Sequence, residues 1–285
     1  MKHEKSSILN WVITVVILGI VIISGIDTNF SPSEFLDPGN IKAMTRFTGG
    51  LWPPETSPVF LHTVFELLLE TVEISIVATV LAIFFALPLS LFAMRPRGEE
   101  YSRRVYGSAL WSWRWGLYYL SRGVLALLRG VPELMWALIF VVAVGLGPFP
   151  GVLALMAHGT GILGKLYAEM FESVDQRLVE MSRVGGMDDL KILVMTRIPL
   201  TLPVFLSYTV FRWECNMRSA TLLGFVGAGG IGTQLMISMK LFMYQEVSTL
   251  IITIFLLVVL VELIGQYLRT RVLDQKGVPC RTPTS

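Results

Sequence analysis

Long apolar runs alternate along this chain with short polar, charge-rich segments. Several runs approach the roughly 20 residues needed to cross a bilayer. Six membrane-spanning helices are expected: 8–26, 70–94, 130–147, 149–171, Pro203 to Leu222, and 247–268. No ten-residue alternating segments recur, as a transmembrane barrel would need. The first run follows Lys2 and Lys5 and ends Ile22-Ile23-Ser24-Gly25-Ile26. That is a poor cleavage site, so the run reads as a retained span rather than a signal peptide. Residues 111–128 interleave Trp111, Trp113, Trp115, Tyr118 and Tyr119 with Arg114 and Arg122. Aromatic and basic residues together favour the headgroup region. An interfacial helix turning into the membrane near Gly130-Val131-Pro132 is expected, with one long tilted helix as the alternative.

One polar interruption stands out. Residues 180–199, EMSRVGGMDDLKILVMTRIP, read as two short helices broken at Gly185-Gly186, with Pro199 and Pro203 where the chain re-enters the membrane. Such a segment gains nothing from bilayer burial, so it is expected to meet a partner. Residues 219–243 are rich in glycine and mixed in polarity. They fit a re-entrant or gate segment, because irregular backbone survives at membrane depth only when shielded or lining a cavity.

Composition fixes the class as an all-α integral membrane protein. The hydrophobic share is 53%, the charged share 15% and the mean hydropathy +0.65, where a soluble domain carries about a quarter charged residues. Basic residues set the orientation. Arg95, Arg97, Arg103, Arg104 and Arg114 follow the second span, and Arg269, Arg271, Lys276 and Arg281 follow the last. The segment between the first two spans is acidic. The positive-inside rule then puts both termini in the cytoplasm, and six spans put the 172–199 loop there too. Cys215 and Cys280 give no disulfide framework, and three histidines leave little material for metal catalysis.

Charges inside apolar runs are expensive and must face a cavity or a partner. The fifth span carries Arg212, Glu214, Asn216 and Arg218; Glu133 and Glu262 are possible partners, and His158 sits in the fourth span. Arg212 and Arg218 either line a path for an oxyanion, which a guanidinium fork suits, or pair with Glu214 or Glu133 structurally. Arg129 and Glu133 stand four apart and form a possible local helical salt bridge.

Two motif matches fail their context. Gly159-Thr-Gly-Ile-Leu-Gly-Lys165 resembles a phosphate-binding loop, but Leu166 replaces the hydroxyl residue and no strand precedes it. Its small residues suit close helix packing. Gly227, Gly229, Gly230 and Gly232 lie in a G-x-G-x-x-G match with no strand–turn–helix unit; they read as gate glycines.

The 180–199 loop resembles the coupling loop of bacterial ABC importer permeases, E-A-A-x-x-x-G, nine residues, then I-x-L-P. Glu180 and Gly186 stand at that spacing and Ile198-Pro199 end it. Met181 and Ser182 depart from the family's alanines, and Thr196 from its isoleucine. RGVPELMWA at 129–137, His158–Gly161, Gly164–Glu169 and Leu223–Gly232 are similar to phosphonate and phosphite importer permeases. The resemblance covers about 65–270 and implies a type I ABC importer-like fold of six transmembrane helices with cytoplasmic coupling helices. Residues 1–64 would hold the first span and a periplasmic segment, 65–270 the transporter domain and 271–285 a cytoplasmic tail. It implies a transport subunit in the bacterial inner membrane, not an enzyme, surrounded by membrane lipids and without nucleic acid. Its partners would be a second copy of itself, two ATP-binding subunits and a periplasmic binding protein. The chain itself would hold no cofactor; ATP and magnesium would sit in the ATPases. Glu180, Gly185, Gly186, Asp188, Ile198 and Pro199 would couple to them, with Asp188 capping the second short helix. The imported solute would be phosphonate, phosphite or a similar phosphorus oxyanion. Another small solute such as methionine is the alternative, and a membrane-embedded enzyme a more distant one.

Overall fold

The computed structural model describes residues 2–28, 37–95 and 99–274. The tail at 275–285 and the side chains of Arg97, Arg103, Arg104 and Trp111 lie outside the described residues. Contacts divide the chain into Met1–Trp52 and Pro53–Ser285.

In the first unit, α1 is Lys2–Asp27 and α2 is Pro38–Gly50. Asp37 caps α2 by accepting a hydrogen bond from the Gly39 amide at 3.1 Å.

In the second unit, α3 (Pro58–Ala93) and α6 (Pro148–Ser173) run side by side. On α3, Ala78, Ala82, Ala86, Ser90 and Ala93 recur every three or four residues and are fully buried. This small-residue stripe lets α6 approach closely. Leu163, Tyr167 and Phe171 of α6 fill the space against Ala82 and Ala86. The second span thus begins well before residue 70; Glu66 and Glu70 hid its first turns from a reading based on apolarity.

The third run is not a single span. The helix α4 (Glu99–Gly130) breaks, and α5 (Glu133–Val144) leaves it at 89°. At 12 residues α5 is about 18 Å long, too short for a core of roughly 30 Å. Pro132 lacks an N–H and pushes Val131 out of helical geometry, so the break falls where expected. The end of α4 does not lie flat across the bundle, however. Arg122 meets Glu172 at 2.9 Å, Leu125 packs on Ala168, and a Cβ at Gly161 would collide with the Leu128–Arg129 backbone. These contacts lay α4 antiparallel along α6, as a member of the bundle. The stretch that imitated a phosphate loop is the surface α4 packs on.

The polar hairpin follows. Its elements are α7 (Gln176–Val184), α8 (Asp189–Ile192) and a π turn at Leu193–Arg197. The turn runs straight into α9 (Ile198–Leu223). Pro199 sits in the first turn of α9 and Pro203 within it, so neither starts the span. A 3-10 turn (Gly224–Val226), a glycine loop, α10 (Ile231–Lys240) and α11 (Tyr244–Asp274) complete the unit.

Among the described residues, four helices are long and apolar enough to cross a membrane, or five if the bent pair counts as one. α6 is not among them despite its 26 residues, because it is the interior of the bundle. Gly159, Thr160 and Gly164 meet protein there rather than lipid.

Candidate functional site

A polar node sits where α5, α6 and α9 meet. Glu133 opens α5 directly after the break. Its Oε2 lies 3.5 Å from Arg212 Nη2 and 3.9 Å from His158 Nε2. The Ser219 hydroxyl donates to Glu133 Oε1. His158 Nδ1 lies 3.0 Å from the Val131 carbonyl, which can only accept, so Nδ1 carries the proton. Trp136 Nε1 donates to the Leu128 carbonyl at 3.1 Å. Both contacts satisfy carbonyls that the break at Pro132 frees from the helix ladder. The bend also separates Arg129 from Glu133, so the local salt bridge expected between them does not form.

Arg212 is 8% exposed. Room for its guanidinium comes from Gly159, where an added Cβ would lie 3.7 Å from Arg212 Nε. Arg212 Nε and Nη2 have no acceptor at close hydrogen-bond geometry among the described residues; the Glu133 carboxylate, 3.5 Å from Nη2, is its ionic partner. One helical turn on, Asn216 Nδ2 donates to Thr79 Oγ1 at 2.8 Å, tying α9 to α3. Asn216 Oδ1 is buried with no donor among the described residues.

Arg212, Asn216 and Ser219 share one face of α9. Glu214 does not. It faces α11, where Arg269 Nη2 lies 3.2 Å from its Oε1 and Gly265 leaves space for the carboxylate. From sequence, Arg269 reads only as a charge after the last span. Arg218 makes no ion pair among the described residues, but it lines a small cavity with Glu214 and Glu262 and is exposed on the α9 stripe with Phe211 and Leu222. Ser219, Thr79 and Arg269 were missed because hydroxyls and a terminal arginine carry no charge anomaly within an apolar run.

At the other end, the glycine loop is buried. Gly227, Gly229 and Gly230 adopt φ of 82°, 82° and 72°, a region that favours glycine. Two α3 side chains hold the start of α10. Glu70 Oε1 accepts from the Gly230 amide at 3.3 Å, and Thr71 Oγ1 from Ile231 at 2.9 Å. A Cβ on Gly232 would collide with the Thr221 carbonyl oxygen.

The hairpin ends α7 in a Schellman motif. Met187 N donates to Ser182 O at 3.1 Å and Gly186 N to Arg183 O at 2.9 Å, with Gly186 at φ 79°. Gly186→Ala is therefore expected to cost about 1 kcal/mol, read as a lower unfolding temperature of the purified chain. Asp188 stands at the N-cap of α8, but its side chain makes no capping bond and lies 4.0 Å from Lys191. Asp175 is the residue whose carboxylate caps, accepting from Arg177 N at 2.9 Å. Asp189, not singled out from sequence, pairs with Arg183 at 3.0 Å and Arg114 at 3.8 Å. Ser182 and Thr196, two departures from the importer loop pattern, touch each other: their hydroxyl oxygens are 3.1 Å apart. Glu180 is exposed, and so are Met181, Val184 and Leu190. That apolar surface lies beside the glycines and Glu180 of the loop pattern.

Residues 107–274 match the model of binding-protein-dependent transport system inner membrane components. The phosphite transport system permease protein PtxC of Stutzerimonas stutzeri is 35% identical over 80% of this chain and 78% of its own. A second protein of that organism, the putative phosphite transport system permease protein HtxC, is 33% identical over 83% and 78%. In fold, the chain matches a structure of inward-facing conformations of the MetNI methionine ABC transporter. The TM-score is 0.62 at 18% identity, over 76% of this chain and 99% of that one. The family model covers more than half of the chain and both permease relatives exceed 30% identity over at least 80% of it: the protein belongs to the family of binding-protein-dependent transport system inner membrane components.

Proposed function

We propose that this chain is the membrane subunit of an ATP-driven importer that takes up phosphite, phosphonate or a similar phosphorus oxyanion. The observation that carries this is Arg212: a buried guanidinium whose Nε and Nη2 have no close acceptor among the described residues, with the Glu133 carboxylate 3.5 Å away. Such a fork suits paired oxyanion oxygens. The phosphite-permease relatives support the same solute class.

Hydrolysis of ATP, with its magnesium, falls to two separate subunits docked on the hairpin. Met181, Val184 and Leu190 offer them apolar contact, and Glu180 a charge beside it. Gly185 and Gly186 turn the chain between the docked helices, while Ile198 and Pro199 join them to α9. The hairpin and both termini then face the cytoplasm, and a periplasmic binding protein delivers solute at the opposite end. A second copy of the chain covers the exposed stripe Leu200, Val204, Tyr208, Phe211, Arg218 and Leu222. An arginine on that stripe is too costly to leave against lipid. The glycine loop at 227–232 acts as the gate, released when α3 lets go of Gly230 and Ile231.

The test is the reconstituted complex. Binding protein loaded with phosphite or phosphonate is expected to raise ATP turnover and drive uptake into vesicles. If neither anion changes turnover or uptake, the solute class is wrong.

A further inference from the structure

A cavity of about 240 Å³ lies at the hairpin end of the bundle, away from the polar node. Four arginines line it: Arg95 just past α3, Arg114 on α4, Arg183 on α7 and Arg197 on the π turn. Asp189 is the one carboxylate lining it among the described residues. Asp189 is shared, 3.0 Å from Arg183 and 3.8 Å from Arg114. Arg197 donates to the Phe171 carbonyl at 3.2 Å, a neutral acceptor. Arg95 enters no ion pair among the described residues; its backbone amide, not its side chain, meets Glu172. Among the described residues, four guanidiniums and one carboxylate thus line one space.

The rest of the wall is apolar. Leu91, Met94, Leu190 and Leu193 face the same cavity, and Trp113 and Tyr119 stand exposed nearby on α4. Aromatic and basic residues so mixed are the composition of a membrane–water boundary. Basic pockets between transmembrane helices at that depth hold phosphate groups.

We propose that this cavity binds a phosphate-type oxyanion, supplied either as the headgroup of an anionic lipid or as a free phosphorus oxyanion. Its four guanidiniums come from α3, α4 and both arms of the hairpin. A bound oxyanion bridges them and fastens the hairpin to the bundle. The site is separate from the Arg212 node, and its binding can be read without transport or a partner subunit.

The experiment uses the full chain in lipid nanodiscs, made of phosphatidylcholine alone or with phosphatidylglycerol. Inorganic phosphate is titrated into the first at constant ionic strength, and unfolding temperature is followed in both. A saturable rise with phosphate identifies a free-anion site; a rise only with phosphatidylglycerol identifies a headgroup site. Either response is expected to weaken about tenfold or more in Arg95→Gln/Arg114→Gln and to return in part in Arg95→Lys/Arg114→Lys. In the wild-type chain, the ligand is expected to protect Arg95 and Arg114 from phenylglyoxal, mapped by mass spectrometry. That readout stands even if the glutamine variant does not fold. No response to either phosphate source, or an undiminished response in the glutamine variant, overturns the proposal. A failed uptake assay with intact binding here would count against the transported solute, not against this cavity.

Discussion

Arg212→Ala is expected to abolish uptake in the reconstituted complex and to destabilise the chain by about 2–3 kcal/mol. The variant leaves Glu133 at the α5–α6–α9 junction with His158 and Ser219 as its polar partners among the described residues. Removing one partner of a buried ion pair costs about 3–5 kcal/mol. The lower figure applies because the Glu133 side chain is 28% exposed and keeps some hydration. Thermal unfolding reads the stability change and vesicle uptake reads the function. The paired variant Arg212→Met/Glu133→Gln separates the two roles. It removes both charges and is expected to recover most of the stability while remaining inactive. Should that paired variant import solute at the native rate, Arg212 serves only to hold α9 against α5.

Gly232→Ala is the second large effect, expected to cost about 3 kcal/mol and to uncouple ATP turnover from the loaded binding protein. The new methyl would meet the Thr221 carbonyl oxygen, which belongs to the backbone of α9 and cannot swing aside. Overpacking a fitted interior costs about 1–3 kcal/mol, and a backbone obstacle places this site at the upper end. α10 must then shift away from α9, breaking the bonds from Gly230 and Ile231 to Glu70 and Thr71. The check is unfolding temperature together with the ratio of stimulated to basal ATPase in the complex. A native ratio at native stability would mean that the loop tolerates displacement and does not gate.

Much of this architecture is written in local patterns. Gly185-Gly186 marked the end of α7, because a left-handed residue is the simplest stop for a helix. Pro132 marked the α4–α5 break for an equally local reason. The fourth apolar run was placed to within two residues of α6, Pro148–Ser173, but that this helix faces protein rather than lipid was not legible. α6 carries glycines and His158 because its neighbours, not the bilayer, set its composition. α3 starts twelve residues early because Glu66 and Glu70 look extramembrane until Glu70 is seen holding the glycine loop. Charge pairing was the least legible layer. Glu133 has a cation four residues upstream, yet the bend removes it and Arg212, 79 positions later, takes its place. Glu214 has Arg218 four residues on along its own helix, yet the ion pair it forms is with Arg269 of α11. Sequence spacing ranks neighbours along one helix; it cannot rank those brought together by packing between helices.

Helical backbone is continuous from Asp189 through the π turn to Leu223. That is a rod of about 50 Å, with the hairpin's second arm at its head and the polar node partway down. Such a rod has two places where motion can be lost, the wide turn at Leu193–Arg197 and the first turns of α9, where Pro203 removes a ladder bond. Twist or thrust applied to Leu190 is otherwise delivered to Arg212 and to the foot of the glycine loop in one stroke, as a crankshaft delivers it. Stiffness at those two places would set how much of the stroke arrives.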